Sequence, residues 1–394
     1  MQQQRGDVDY IGRARDLAPM IAAAGDEIEK ACQLPEPVVS ALVEAGMFKL
    51  VVPRSIGGAE LDPMTYVQVL EEIAKADGST AWSMGQNSGC SMSAAYLEPA
   101  VAREVFGGPR GILAWGPFAP TSGRAVVVDG GYRLTGRWGF ASGSRHATWL
   151  GCHVLLFEPD GTPRKNADGR QLQRTLLYPK SSAEIIDNWH VLGLRGTGSD
   201  SYAMTDLFVP QRYSFARDSL DELREPGPLF KFTSGMLYAA SFSFVSLGIA
   251  RGALDAFIKL ATEKVPRGGQ RTMAHNNVIQ SEVAKADAKL LASRGFVLDS
   301  IAAIWDEAHR GKRATDEQRR RFRLASTWAI NQAQEVVNSA YTMAGSGAIF
   351  DGHPLERRLR DIHAGTQQGQ GRPVQFEHVG QIMLGLEADG PLFR

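Results

Sequence analysis

Ala125-Val-Val-Val128 and Tyr132-Arg-Leu-Thr135, separated by Asp129-Gly-Gly131, set the middle of this chain apart from its two ends. β-Branched and aromatic residues favour strands, and Asp-Gly and Gly-Gly pairs mark turns. Three further runs of this kind follow, with turn residues between them: Trp149–Phe157, Gln173–Tyr178 and Tyr202–Val209. We therefore predict a compact β domain over residues 111–212.

The segments on both sides of this domain have helical patterns. Apolar residues recur every third position over Met64–Ile73, directly after Asp62-Pro63, which is a helix cap with proline at the first helical position. A single apolar stripe runs through Val283–Ile304, as in the long helices of bundles. We predict a helical domain over residues 1–110, a polar loop up to residue 228, and a helical bundle over residues 228–394. The fold class is α+β, mainly α.

Composition narrows the range of partners and compartments. The chain of 394 residues has 43 basic and 43 acidic residues, so no net field attracts nucleic acid or an anionic membrane. Three widely spaced cysteines argue against a disulfide framework and favour a reducing, cytoplasmic location. The uncharged run Phe232–Ala250 reaches membrane-spanning length, but it contains four serines and is expected to form a buried helix.

Familiar ligand motifs are missing. No Gly-x-Gly-x-x-Gly opens a helix after a strand, and no Walker-type Gly-Lys-Ser/Thr occurs, so a nucleotide would have to bind differently. The eight histidines are scattered, and we expect no metal site. Taken alone, the glycines of Leu192–Asp200 and of Phe140–Gly143 indicate tight turns rather than ligand contacts.

The order of several short segments, however, resembles the acyl-CoA dehydrogenase superfamily over nearly the whole chain. The matching segments are Val52-Pro-Arg-Ser-Ile-Gly-Gly58, Leu194-Arg-Gly-Thr-Gly-Ser199, Val209-Pro210 and Leu359-Arg-Asp-Ile-His-Ala-Gly-Thr366. The resemblance implies an N-terminal helical domain, a central β-barrel-like domain and a C-terminal four-helix bundle. It also implies a homotetramer and a flavin between the β domain and the bundle.

Both positions that carry the catalytic base in this superfamily lack an acid here. In the short- and medium-chain dehydrogenases, the stretch matching His363-Ala-Gly-Thr366 reads Tyr-Glu-Gly-Thr, and its glutamate removes the α-proton of the thioester. The corresponding residue here is Ala364. Other branches place the glutamate on an earlier helix, where the best match is Tyr238 and no acid lies within Phe232–Ala250. Desaturation is therefore not expected.

Three segments resemble instead the two-component flavin monooxygenases that share this fold. They are Ala81-Trp-Ser-Met-Gly85, Phe140-Ala-Ser-Gly143 and Leu194–Ser199. That branch takes reduced flavin, FAD or FMN, from a separate NAD(P)H:flavin reductase and reacts it with O₂. The resulting C4a-hydroperoxide hydroxylates an aromatic or other electron-rich small molecule. The resemblance thus implies a reduced-flavin-dependent monooxygenase that uses FADH₂ or FMNH₂.

Carried over residue by residue, the resemblance implies a flavin site in the β domain. Ser142 is the expected partner of flavin N5, with the backbone at Ala141 and Gly143 beside it. Trp115 and Trp138 occupy positions where relatives pack aromatic rings against the flavin. The core of the β domain is the alternative place for both tryptophans.

The two helical domains are expected to complete the cofactor and substrate sites. The residues that the resemblance assigns to the flavin there are Arg267, Gln280, Gly365, Thr366 and Gln368, of which Arg267 and Gln280 approach the cofactor of a neighbouring subunit and favour FAD. Asn87, Ser88 and Tyr238 are expected near the substrate.

The chain departs from this branch where relatives carry histidines. Asn87-Ser88 stands where aromatic hydroxylases often have one, and Gln367-Gln-Gly-Gln370 replaces another that follows the Gly-Thr turn. His363 is the remaining candidate for a catalytic base, although a histidine at a helix end is more often a hydrogen-bonded surface residue. A substrate such as an indole, an ionised polyphenol, an amine or a sulfide would need less help from a base.

Two other functions stay open from the sequence. One is a divergent acyl-CoA dehydrogenase or oxidase whose base lies at an unmatched position. The other is a non-catalytic member of the fold, against which the joint presence of Ser142, Arg267 and Thr366 argues.

Overall fold

In the computed structural model, which describes residues 8–390 and 392–393, helices precede the first strand. Their bounds are Tyr10–Ala23 (α1), Gly25–Ala31 (α2), Glu36–Glu44 (α3), Pro63–Ala76 (α4), Gly78–Ser91 (α5) and Pro99–Phe106 (α6). Helix α4 begins as predicted, because the carboxylate of Asp62 accepts a hydrogen bond from the amide of Thr65 at 2.9 Å. Asp77 caps α5 in the same way, through the amide of Thr80 at 2.7 Å.

The strands follow. They are Leu113–Trp115 (β1), Gly123–Val128 (β2), Gly131–Trp138 (β3), Trp149–Phe157 (β4), Gln173–Pro179 (β5), Glu184–Ile186 (β6), Ser201–Pro210 (β7) and Ser214–Phe215 (β8). They form one sheet in the order β6-β7-β3-β2-β4-β5-β8, and β1 pairs with β4. Strand β4 pairs in parallel with β1 near its start and with β2 near its end. Other neighbours are antiparallel.

The sheet contains every run that the sequence analysis assigned to a strand, and it adds the short strands β1, β6 and β8. These three have two or three residues each, so they carry too little pattern to be seen without their partners. The predicted boundary at residues 110–111 lies between α6 and β1, whereas β8 lies just beyond residue 212. The sheet is barrel-like, since β5 contacts β7, but within the described residues its path ends at β6 and β8.

The remaining helices are Ser234–Glu263 (α7), Asn277–His309 (α8), Asp316–Ala344 (α9), Pro354–Thr366 (α10) and Val374–Met383 (α11). Helix α7 is central and packs against α4, α5, α9 and α10. Thr315 caps α9 through a reciprocal capping box with Gln318. The predicted order of helices, sheet and helices is therefore confirmed.

Helix α7 shows how a polar, uncharged run can be buried. Ser241 and Ser246 donate hydrogen bonds to carbonyl oxygens one turn earlier, at 2.7 and 2.8 Å, so their hydroxyls need no solvent. Within the described residues, α7 is the one helix long and apolar enough to cross a membrane, but 94% of that stretch is buried in the protein. The predicted buried helix is confirmed.

Candidate functional site

A cavity of about 510 Å³ lies where α5, α7 and the end of α10 meet one end of the sheet. Seven aromatic residues line it: Trp82, Trp115, Phe118, Phe140, Trp189, Tyr238 and Phe242. Its polar lining consists of Gln86, Ser142, Thr197, Ser199, Gln367, Gln368 and Gln370. Small or aliphatic residues complete it: Gly116, Pro117, Leu194, Ala364 and Gly369.

The loop after β3 presents Ser142 to this cavity. Phe140 has a positive φ of 58°, a strained conformation for a residue with a side chain, and Gly143 has a φ of 78°. The amide of Gly143 donates to the carbonyl of Thr197 at 2.8 Å, which ties the loop to the glycine-rich segment before β7. A Cβ at Gly143 would lie 2.6 Å from the Asn87 side chain, so only glycine fits there.

A chain of three buried hydroxyls determines how Ser142 can bond. Thr197 donates its proton to the carbonyl oxygen of Leu194 at 2.8 Å. Its Oγ1 lies 2.7 Å from the Ser199 hydroxyl and must accept from it, because the Thr197 proton is already used. Ser199 in turn lies 2.6 Å from the hydroxyl of Ser142 and must accept the proton of Ser142. The lone pairs of Ser142 are then left for a donor in the cavity.

The described residues that line this cavity include no side chain that acts as an acid or a base near neutral pH. Ala364, at the position of the dehydrogenase base, is one of its lining residues. None of the described residues lining it is an aspartate, glutamate, histidine, lysine or arginine. Burial raises the pKa of Tyr238 well above its ordinary value, so this phenol stays protonated at neutral pH. Among its described residues, the site therefore offers no side chain for removing a proton from carbon.

Tyr238, the predicted substrate contact, is held in place by hydrogen bonds. Its hydroxyl accepts from the indole nitrogen of Trp115 at 3.1 Å and from the amide of Gln86 at 3.4 Å. It donates to the carbonyl oxygen of Gln86 at 3.4 Å. The ring of Tyr238 is thus fixed as part of the wall.

Stacked rings form that wall. The rings of Trp82 and Phe242 lie 4.0 Å apart at an angle of 18°, and Tyr238 continues the stack 5.8 Å from Phe242. Phe118 faces Tyr238 at 5.7 Å. Aromatic walls of this kind bind flat, apolar rings and exclude water.

Several predicted site residues meet in this cavity. Ser142, Trp115, Tyr238 and Gln368 line it. Others are buried beside it in the same loop or the same helix end: Ala141, Gly143, Gly365 and Thr366. The structure thus brings together the β-domain loop and the turn after α10, which are more than 200 residues apart in sequence.

His363 does not line the cavity. Its two ring nitrogens pair with the side chains of Gln334 at 3.0 Å and Asn338 at 2.9 Å, both on α9. The ring therefore joins α10 to α9, and its geometry matches the structural role of a hydrogen-bonded histidine.

Trp138 and Asn87 also stand outside the lining. Trp138 is buried in the sheet, where its indole nitrogen donates to the carbonyl of His153 and its ring stacks on Tyr202. Of the two positions considered for this tryptophan, the structure shows the core one. Asn87 bonds the carbonyl of Leu113 and the ring of His146, at 3.0 Å each.

Ser88, Arg267 and Gln280 have no lining role either. Ser88 is buried within α5. Arg267 and Gln280 are exposed, around the connection between α7 and α8. Their role toward a neighbouring subunit stays a prediction.

The sequence analysis gave no site role to eight of the aromatic and amide residues that line the cavity: Trp82, Gln86, Phe118, Phe140, Trp189, Phe242, Gln367 and Gln370. Trp82 belongs to Ala81-Trp-Ser-Met-Gly85, a segment that carried the resemblance. For Phe118, in the loop after β1, and Phe242, on α7, no local signal exists, because a large aromatic side chain usually belongs to the core.

Two family models match the chain: "Acyl-CoA dehydrogenase, N-terminal domain" over residues 14–100 and "Acyl-CoA dehydrogenase, C-terminal domain" over residues 240–369. The chain is 31% identical to the indole-3-acetate monooxygenase of Pseudomonas putida, with 92% of this chain and 90% of that protein covered. It is 28% identical to the oxygenase component of the FADH(2)-dependent resorcinol hydroxylase of a Rhizobium species, with 98% and 97% covered. The crystal structure of the HsaA monooxygenase from M. tuberculosis superimposes with a TM-score of 0.88, at 26% identity, over 99% of this chain and 100% of that one.

Proposed function

This chain belongs to the acyl-CoA dehydrogenase family, and from that premise we propose that it oxygenates an electron-rich aromatic ring such as that of an indole or a phenol. It is a flavin-dependent monooxygenase, the oxygenase component of a two-component system, and a flavin reductase is its partner. One observation carries the proposal: the cavity has Ala364 where a dehydrogenase has its base, together with a serine that faces it as an acceptor.

The residues present fit a reduced flavin. The N5–H of reduced flavin is a hydrogen-bond donor, and the hydroxyl chain leaves Ser142 as an acceptor toward the cavity. When bound, the flavin supplies the reaction with O₂ and the transfer of one oxygen atom to the substrate. We propose FAD as this flavin, with FMN as the alternative, because Arg267 suits a diphosphate.

The chain's own residues position the reactants and keep water out. Ser142 would hold the proton at N5 of a bound reduced flavin by accepting its hydrogen bond, with Ser199 and Thr197 orienting the serine. The stacked rings of Trp82 and Phe242 cover the cavity with apolar surface. Since none of the described lining residues acts as a base near neutral pH, the substrate itself must be electron-rich enough to attack oxygen.

Assembly and location complete the proposal. Large apolar side chains are exposed along α8 and α9, among them Leu291 and Trp328, and they support the expected homotetramer. Cys32, Cys90 and Cys152 are free thiols, which supports a reducing cytoplasm.

The test begins with anaerobic titration of the protein with chemically reduced FAD, and binding is expected. A flavin reductase, NADH and O₂ are then supplied with indole and with resorcinol, and oxygenated product is measured by mass spectrometry with ¹⁸O₂. Incorporation of one labelled oxygen atom is the expected result. Reduction of protein-bound oxidised FAD by an acyl-CoA, without any oxygenated product, would contradict the proposal. That result would favour the alternative hypothesis of an acyl-CoA dehydrogenase.

A further inference from the structure

The walls of the cavity carry no charge among the described residues that line it. Their polar atoms are hydroxyls and amides, and the rest of the surface is aromatic or aliphatic. An ionised group that enters such a space loses its water and gains no opposite charge. The lining by itself therefore favours uncharged ligands.

A cation does stand directly behind this wall. The guanidinium carbon of Arg217 lies 3.5 Å from the centre of the Phe118 ring. Because Phe118 lines the cavity and Arg217 does not, the ring separates the guanidinium from the space where a substrate would bind. Arg217 is also partnered, since its Nη1 donates to Asp218 at 3.1 Å and to the hydroxyl of Ser234 at 2.9 Å.

A second arginine, which is buried, is covered in a comparable way. Arg323 on α9 donates to the side-chain oxygen of Gln370, which is the residue that faces the cavity. The Phe393 ring covers the other side of this guanidinium, 3.8 Å from its carbon. Both arginines are thus screened by an uncharged lining residue.

We propose that this cavity selects uncharged aromatic substrates over their carboxylates, and that Phe118 enforces the choice by covering Arg217. The inference rests on the proposed function and deepens it by naming the substrate class. It sets this chain apart from its relative named for indole-3-acetate, whose name is that of a carboxylate. A carboxylate placed against Phe118 meets the face of a ring, where a π-system carries negative potential. An amide of the same shape needs only the hydrogen bonds that the lining side chains provide.

The first experiment compares two probes of nearly identical shape, indole-3-acetamide and indole-3-acetate. Their affinities for the protein carrying reduced FAD are measured by anaerobic calorimetry at pH 7.5, and oxygenation of both is measured in the reductase-coupled assay. The amide is expected to bind at least about tenfold more tightly, because the unpaired carboxylate is desolvated.

Each other outcome has a definite meaning. Equal or tighter binding of indole-3-acetate, with oxygenated product from both, overturns the inference and leaves the proposed function standing. Binding of neither probe to a protein that does bind reduced FAD also overturns the inference. No binding of reduced FAD and no product from either probe overturns the proposed function itself.

The second experiment removes the cover. In Phe118→Ala, Arg217 becomes accessible from the cavity and can pair with a carboxylate. The affinity for indole-3-acetamide divided by that for indole-3-acetate is therefore expected to fall at least about tenfold. Phe118→Leu is the matched control, because it keeps an apolar side chain over the guanidinium and should keep the wild-type ratio. The double variant Phe118→Ala/Arg217→Gln should lose this relative gain in affinity for indole-3-acetate.

An unchanged ratio in a folded Phe118→Ala protein overturns the role of Phe118. Should that variant fail to fold, the single variant Arg217→Gln tests the proposal instead. Its ratio of amide to acetate affinity should equal that of the wild type, since a covered guanidinium contributes nothing to the ratio. A ratio that moves by more than about threefold in Arg217→Gln would show that the arginine already reaches the ligand, and would overturn the proposal.

Discussion

Thr197 and Ser199 make Ser142 a hydrogen-bond acceptor toward the cavity. The direction of the hydroxyl chain is imposed by the Leu194 carbonyl, which cannot donate and so takes the Thr197 proton. The proton of Ser199 then goes to Thr197 and that of Ser142 to Ser199. A hydroxyl outside such a chain would rotate between donating and accepting.

Ser142→Ala should therefore uncouple the reaction. Reduced flavin should still be consumed, but the ratio of oxygenated product to hydrogen peroxide should fall about 10- to 100-fold, as loss of one buried hydrogen bond of 1–3 kcal/mol allows. Ser199→Ala should show a smaller fall, since it frees the Ser142 proton without removing the serine. Product and peroxide are quantified together, and reduced FAD affinity is the control. Unchanged coupling in both variants would contradict the assignment.

Asp361 joins α10 to the segment before β7, and it shows how two elements hold the cavity's rim. Its carboxyl accepts from the backbone amide of Leu194 at 2.6 Å and is fully buried. Burial, with the nearby carboxylate of Asp77, raises its pKa to about 7. Leu194 itself lines the cavity in a left-handed conformation, with a φ of 53°.

A pH dependence follows, with a definite sign. The unfolded chain releases the Asp361 proton near pH 4, whereas the folded chain keeps it up to about pH 7. Between these values the folded state binds more protons, so this residue's contribution to stability falls as pH rises and is constant above that window. In Asp361→Asn the amide oxygen still accepts from Leu194. Unfolding free energies measured at pH 5 and pH 8 should show the wild type losing stability relative to the variant, by on the order of a few kcal/mol. A difference that does not change with pH would contradict the raised pKa.

Helices α4 and α8 are joined by a charge pair near the core. Glu71 is buried, and it accepts from Nε of Arg294 at 2.9 Å, while the same guanidinium donates to Gln68 at 2.9 Å. Arg294→Leu should cost about 1–3 kcal/mol of unfolding free energy, because it leaves a buried carboxylate unpaired. The double variant Glu71→Gln/Arg294→Leu should recover most of this loss in urea denaturation. Additive losses in the double variant would mean that the two side chains are not coupled.

At the scale of the whole molecule, large apolar side chains on α8 and α9 are exposed to solvent. Leu291 on α8 is 59% exposed and Trp328 on α9 is 44% exposed. Multi-angle light scattering should give the mass of four 42.8 kDa chains. Leu291→Asp and Trp328→Asp should shift it toward smaller species, since a buried interfacial charge without a partner is costly. Ile185→Asp, on the short strand β6, is the matched control and should leave the mass unchanged. A monomeric wild type would refute the tetramer.

The sequence alone determined the order of helices, sheet and helices, the longer strands, the cap at Asp62, and the lack of an acid at Ala364. Each depends on a local pattern or a single residue identity, which the chain carries wherever it folds. The resemblance to a known family was enough to predict that Ser142 and Gln368 belong to the same site.

Only the tertiary structure decided which side chains face the cavity. Phe118 and Phe242 look like core residues in sequence, and His363 looked like a base until its ring nitrogens were found bonded to α9. The short strands β1, β6 and β8 likewise exist through their partners. The physical reason is the same in each case: a cavity and a strand pair are formed by segments far apart in the chain, and which side chains meet there depends on packing across the whole fold.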